Sequence, residues 1–258
     1  MKKYKLNIYV GPIILHIPHS AIKIPSYDGY EADETVLKEE QLLLTDWYTD
    51  DLFRQPDTIP ILADFSRIFC DVERFEDDKD EIMSKAGMGA LYERRDNGEY
   101  LRTMTIDLRS RIIHDYYKPH HQKLNDAVEN QLKQYGRAFI LDCHSFPDVP
   151  FNRDLNQDPQ RPDYNLGFDE LHTSRELLKV AYRFFIDRGH SVGLNSPYSG
   201  TIVPLNYYRK KRQVQSIMLE INRKLYLKDN SNEKSLNYQH VKETVAQFIT
   251  RLNDFRGY

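Results

Sequence analysis

Four short stretches of this sequence carry side chains capable of chemistry. "HIPHSAIKIP" (16–25) holds His16 and His19, and "TDWYTDDLF" (45–53) holds Asp46 and Asp50. "LDCHS" (141–145) sets Asp142, Cys143, His144 and Ser145 side by side, and "SIMLEINRKLY" (216–226) places Glu220 inside an apolar run. Two imidazoles and a carboxylate suit a catalytic zinc centre, which typically has three protein ligands and keeps one position for water. His16 and His19 are three apart, so strand alternation points them in opposite directions, and His19, at the strand end, is the better candidate. His144 also closes an apolar run. Asp46 and Asp50 are four apart, on one face of a helix, and either could complete the set. A capped structural histidine and a solvated helix charge are the plain alternatives.

Asp142 precedes His144 by two residues and so shares its strand face, where it could fix the imidazole nitrogen that a metal leaves free. Cys143 and His144 are adjacent, face opposite sides of a strand, and do not make a nucleophile pair. Ser145 lacks the Gly-x-Ser-x-Gly elbow, and Cys143 reads as a small core residue. A carboxylate in an apolar strand, such as Glu220, is costly to bury unless it is paired or works beside a metal. Burial also raises its pKa towards the range of a general base; the structural alternative is a pair with Arg223. Arg67 and Arg74, in "FSRIFCDVER" (65–74), offer the planar two-pronged grip that a carboxylate substrate needs, or else pair with Asp71 and Glu73. The turn "HSVGLNSPYSGTIVP" (190–204) brings Asn195, Tyr198 and Gly200 as further substrate-binding candidates, unless it is only a connection. His114, His120 and His121 lie in a charged helical stretch and receive no role.

The elements that must position these groups alternate. Bounded apolar runs at 12–17, 59–65, 137–143 and 214–221 read as buried strands, and helical patterns cover 34–54, 105–135, 173–188 and 235–255. Such alternation predicts an α/β fold with a mixed, mainly parallel sheet flanked by helices. Two long polar stretches, 73–100 and 145–165, follow strands and are expected to cover the C-terminal edge of the sheet, where open α/β sheets bind ligands.

The 258 residues are expected to form a single domain, 1–258. With 36 Lys+Arg against 39 Asp+Glu, the net charge of −3 gives no general attraction to nucleic acid or to an anionic membrane. The opening "MKKYKLNIYVGPIILHIPHS" is broken by Gly11, Pro12 and His16 and reads as a first strand instead of a secretory leader. No apolar run approaches the roughly 20 residues of a membrane span, and two cysteines make no disulfide framework, so a cytoplasmic protein is expected.

Taken in order, "IPHSAIKIP", "TDWYTDDLF", "SRIFCDVER", "LDCHS", "RPDYNLG", "NSPYSGTIV" and "LEINRKLY" resemble the N-formylglutamate amidohydrolase family through most of the chain. The resemblance implies a three-layer fold like that of the zinc carboxypeptidases and aspartoacylases. It also implies one zinc ion on His19, Asp46 and His144, and Glu220 as the catalytic carboxylate. Arg67, Arg74 and the loop holding Asn195, Tyr198 and Gly200 would then face a small anionic N-acyl amino acid. The implied reaction is hydrolysis of its amide, with N-formylglutamate the leading substrate. Hydrolysis of another N-acyl amino acid or small peptide, and a non-catalytic binding role, are the alternatives. The chain departs from the family at Asp71-Val72-Glu73-Arg74, where the family usually reads Asp-x-Asn-Arg, so Glu73 adds a negative charge beside a proposed anchor.

Overall fold

The computed structural model describes residues 11–255; the opening residues 1–10 of the expected first strand lie outside the described residues. Four of the apolar runs form strands: β1 (Ile13–Ile17), β2 (Thr58–Leu62), β3 (Ala138–Phe146) and β6 (Val214–Asn222). Two further short strands, β4 (Tyr164–Gly167) and β5 (Val192–Leu194), join them in a six-stranded sheet of order β2-β1-β3-β6-β4-β5. Neighbours run parallel except β4 and β6, which are antiparallel. The expected mixed, mainly parallel sheet is therefore present. β3 extends past the predicted end at Cys143 as far as Phe146, so His144 lies within the strand and not at its terminus.

Alternation along the strands sorts side chains to two faces. Ile13, Leu15, Leu141 and Cys143 join a core with α5 (Arg175–Ile186) and α6 (Tyr238–Asp254). Ile14, Ile140 and Val214 pack with Leu124 and Val128 of α4 (Lys118–Tyr135) on the other face. Helices thus flank both faces of the sheet. Phe248 of α6 is fully buried, with its ring 4.9 Å from that of Phe185. Phe248→Ala is expected to cost about 3–5 kcal/mol of stability, read by urea unfolding.

The helix expected over 34–54 is two: α1 (Glu34–Leu44) and α2 (Thr49–Leu52). Thr45 is extended and Tyr48 adopts a left-handed φ of 62°. Asp46 therefore sits in a break between helices, and the argument that it shares a helical face with Asp50 does not hold. The 105–135 stretch is helical as expected, but α3 (Ile106–Ile112) joins α4 through a π-helical turn at Ile113–Tyr117. Pro119, at the start of α4, has no N–H for the carbonyl one turn back, and the wider turn accommodates that loss. Among the described residues no helix is long and apolar enough to cross a membrane.

Candidate metal centre

The break between α1 and α2 is held to the end of β1 by the Asp46 amide, which donates to the His19 carbonyl at 3.0 Å. This places the Asp46 carboxylate between two imidazoles: Oδ2 is 3.2 Å from His144 Nδ1 and 3.6 Å from His19 Nδ1. The ligand atoms of His19, Asp46 and His144 all lie within 4.8 Å of one another, and all three residues are buried. Asp50 is not part of the cluster.

The outer nitrogen of each histidine is held by a buried carboxylate. His19 Nε2 lies 2.8 Å from Asp71 Oδ1, and His144 Nε2 lies 3.0 Å from Asp142 Oδ1. A bound ion would take the two Nδ1 lone pairs while each Nε2–H donates outward, an arrangement typical of metal-bound histidines. His19 Nδ1 is buried and has no hydrogen-bond partner. Such an orphan is costly in a protein interior, and a bound cation would satisfy it, so the residues present fit a metal ion. Arg223 holds the other Asp46 oxygen at 3.0 Å and also donates to the Leu43 carbonyl at 2.6 Å. Burial alone would raise the Asp46 pKa, but the adjoining His144 and His19 imidazoles and the Arg223 charge hold it below the usual range. Burial opposes a charge on His144, yet Asp142 and Asp46 outweigh it and raise its pKa well above the ordinary value. The cluster attracts positive charge.

Parallel pairing of β3 with β6 sets His144 opposite Glu220. Glu220 is 7% exposed, its Oε2 has no hydrogen-bond partner, and burial pushes its pKa up to about 8. Arg223, its alternative partner from the sequence, turns instead to Asp46 and Ser145.

A cavity of about 340 Å³ opens over these groups and is walled by residues of both long polar stretches. Arg67, Arg74 and Tyr198 line it, as does Glu73. Arg67 is bound to Asp71 at 3.0 Å. Arg74 is held more loosely, at 3.7 Å from Asp71 and 3.9 Å from Glu81, and its Nε has no hydrogen-bond partner. Arg153, which the sequence reading did not single out, adds a third guanidinium to the wall.

Asn195 and Gly200 do not line the cavity. Asn195 Oδ1 accepts from the Phe168 and Gly200 amides and its Nδ2 donates to the Phe168 carbonyl, so its polar atoms are spent on holding the turn. Gly200 has a φ of 87°, which suits glycine and shapes that turn. A larger depression, about 820 Å³, lies between α5 and α6 and includes none of the candidate ligands.

A family model described as N-formylglutamate amidohydrolase matches residues 11–227. The chain belongs to the N-formylglutamate amidohydrolase family. A curated relative, N-formylglutamate deformylase of Pseudomonas putida, is 23% identical over 228 residues, covering 84% of this chain and 82% of the relative. The fold is similar to the crystal structure of N-formylglutamate amidohydrolase from Ralstonia eutropha, with a TM-score of 0.84 at 22% identity over 96% of this chain and 94% of that one. It is also similar to a gene product of Agrobacterium tumefaciens, with a TM-score of 0.70 at 16% identity over 96% and 91% of the chains.

Within this member of the N-formylglutamate amidohydrolase family, the two cysteines are unpaired and buried. Cys143 belongs to the core on the sheet face opposite His144, and burial lifts its thiol well above the ordinary pKa. Burial raises the Cys70 thiol as well. Iodoacetamide is therefore expected to leave both unlabelled in the native protein and to modify them only in denaturant, as mass spectrometry would read.

Proposed function

We propose that this chain is a zinc-dependent amidohydrolase acting on a small anionic N-acyl amino acid, with N-formylglutamate the leading substrate and formate and the free amino acid as products. The observation that carries the reading is an unpaired buried carboxylate, Glu220, beside His144 over the cavity that also reaches His19 and Asp46. The family and the Pseudomonas putida relative's name support the substrate class.

His19, Asp46 and His144 would hold the ion, which when bound lowers the pKa of a water and polarises a carbonyl. Glu220 accepts a proton from the attacking water and returns it to the leaving nitrogen as the C–N bond breaks. Arg74, only loosely held by Asp71 and Glu81, and Arg67 grip substrate carboxylates, so that binding energy orients the amide. Tyr198 is committed to Asp154 at 2.9 Å and shapes the wall. Both cysteines are free thiols, which supports the cytoplasm as the compartment.

The test is a screen for released formate and amine across N-acyl amino acids, with chelator-stripped protein reloaded with zinc. Formate from N-formylglutamate is the expected result. Cleavage of a different N-acyl amino acid alone would overturn the narrow substrate, an outcome that Glu73, a carboxylate in the cavity wall, makes the specific second reading. Thermal stabilisation by ligand with no product would overturn the enzyme reading itself.

A further inference from the structure

Beside the first centre, a second group of ligand-type residues, His16, Glu73 and Asp142, gathers around His16 and shares His144 with that centre. His16 is fully buried on β1, opposite Asp142 of β3, and its Nδ1 is 2.9 Å from Asp142 Oδ1. The same Nδ1 is 2.9 Å from Glu73 Oε1. One imidazole nitrogen carries at most one proton, which points along one direction, yet two carboxylate oxygens approach it. Asp142 Oδ1 additionally receives His144 Nε2 at 3.0 Å. Glu73 Oε1 is left buried without a hydrogen-bond partner despite its closeness. Two carboxylates crowding one imidazole nitrogen call for a positive charge between them, either a proton held by His16 or a metal ion.

We propose that His16 Nδ1, Glu73 Oε1 and Asp142 Oδ1 bind a second divalent cation. The three atoms lie within 4.8 Å of one another, as ligands of one ion must. One imidazole nitrogen with two carboxylate oxygens suits a first-row ion such as zinc or manganese. The outer shell is present as well: His16 Nε2 lies 2.9 Å from His120 Nε2. At that distance His120 Nε2 can accept the Nε2–H that His16 carries when its Nδ1 faces an ion. Asp142 then orients His144 at the first centre while ligating at the second. The only rival occupant on chemical grounds is a proton on His16.

The experiment counts ions. Chelator-stripped protein is equilibrated with Zn²⁺, and separately with Mn²⁺, and bound metal is measured by equilibrium dialysis and mass spectrometry. Wild-type protein is expected to take two equivalents, Glu73→Gln one, and His19→Ala one, since His19 belongs only to the first group. A single equivalent in wild type, or an unchanged count in Glu73→Gln, overturns the proposal. A count that falls in His19→Ala but not in Glu73→Gln overturns it while leaving the first centre standing, which separates this inference from the proposed function. Should Glu73→Gln misfold, wild-type crystals soaked in Mn²⁺ decide: an anomalous peak among His16, Glu73 and Asp142 supports the site, and its absence overturns it.

Discussion

Replacing His19 with alanine is expected to remove one equivalent of bound zinc and to reduce hydrolysis to the level of the metal-free protein. His19 is the most discriminating of the three candidate ligands. Its Nδ1 has no hydrogen-bond partner and it belongs to the first group alone, whereas His144 Nδ1 contacts Asp46 and His144 belongs to both groups. The side chain is buried, so a cavity term accompanies the change, and a thermal melt of the metal-free proteins measures it separately. A His19→Ala protein that keeps its full zinc content and turnover would remove His19 from the centre. Chelation of wild type should reproduce the loss of activity, and zinc should restore it in wild type alone.

Glu220→Gln is expected to lower kcat by about 10²–10⁴-fold, the usual contribution of a positioned general base, with zinc content unchanged. Glutamine keeps the shape and the buried polar end but cannot take a proton, so retention of metal together with loss of kcat separates proton transfer from a structural role. The pH profile adds a sign. A base works ionised, so activity falls as pH drops through its pKa. Burial sets that pKa at about 8 in the absence of a metal, and a cation nearby lowers it, so the acid limb of wild type is expected below pH 8. Full activity in Glu220→Gln, or an acid limb that survives in it unchanged, would assign the base elsewhere.

The apolar runs that became β1, β2, β3 and β6 were legible because strands buried on both faces need nearly continuous hydrophobic sequence. β4 and β5 were not. "YNLG" and "VGL" carry asparagine and glycine, types that strands disfavour, and they are strands because β6 offers β4 an edge and β4 offers one to β5. The break at Thr45–Tyr48 was hidden for a related reason. The segment keeps a helical pattern, and what pulls Asp46 out of the helix is long-range: His144, the Ser145 amide and Arg223 all engage its carboxylate.

Among the site residues, the sequence pointed to groups whose types announce their chemistry, such as His19, His144 and Glu220. It also pointed to Asp142 behind His144, two positions away, but missed the distant supports, since Asp71 behind His19 and Arg223 on Asp46 act across 52 and 177 positions of chain. Asn195 and Gly200 show the opposite error: a turn motif marks where the backbone bends, and the cavity wall is made by their neighbours Pro197, Tyr198 and Ser199.

The strand order also sets a schedule for the chain as it leaves the ribosome. Among the described residues β6 is the last strand to be synthesised, yet it lies between β3 and β4 and is what attaches the β4–β5 pair to the rest of the sheet. His19, Asp46 and His144 have all emerged before it; Glu220 has not. A nascent chain can therefore gather every candidate ligand of the first centre while β3 is still an open edge, and gains the proposed base only when β6 closes onto the sheet.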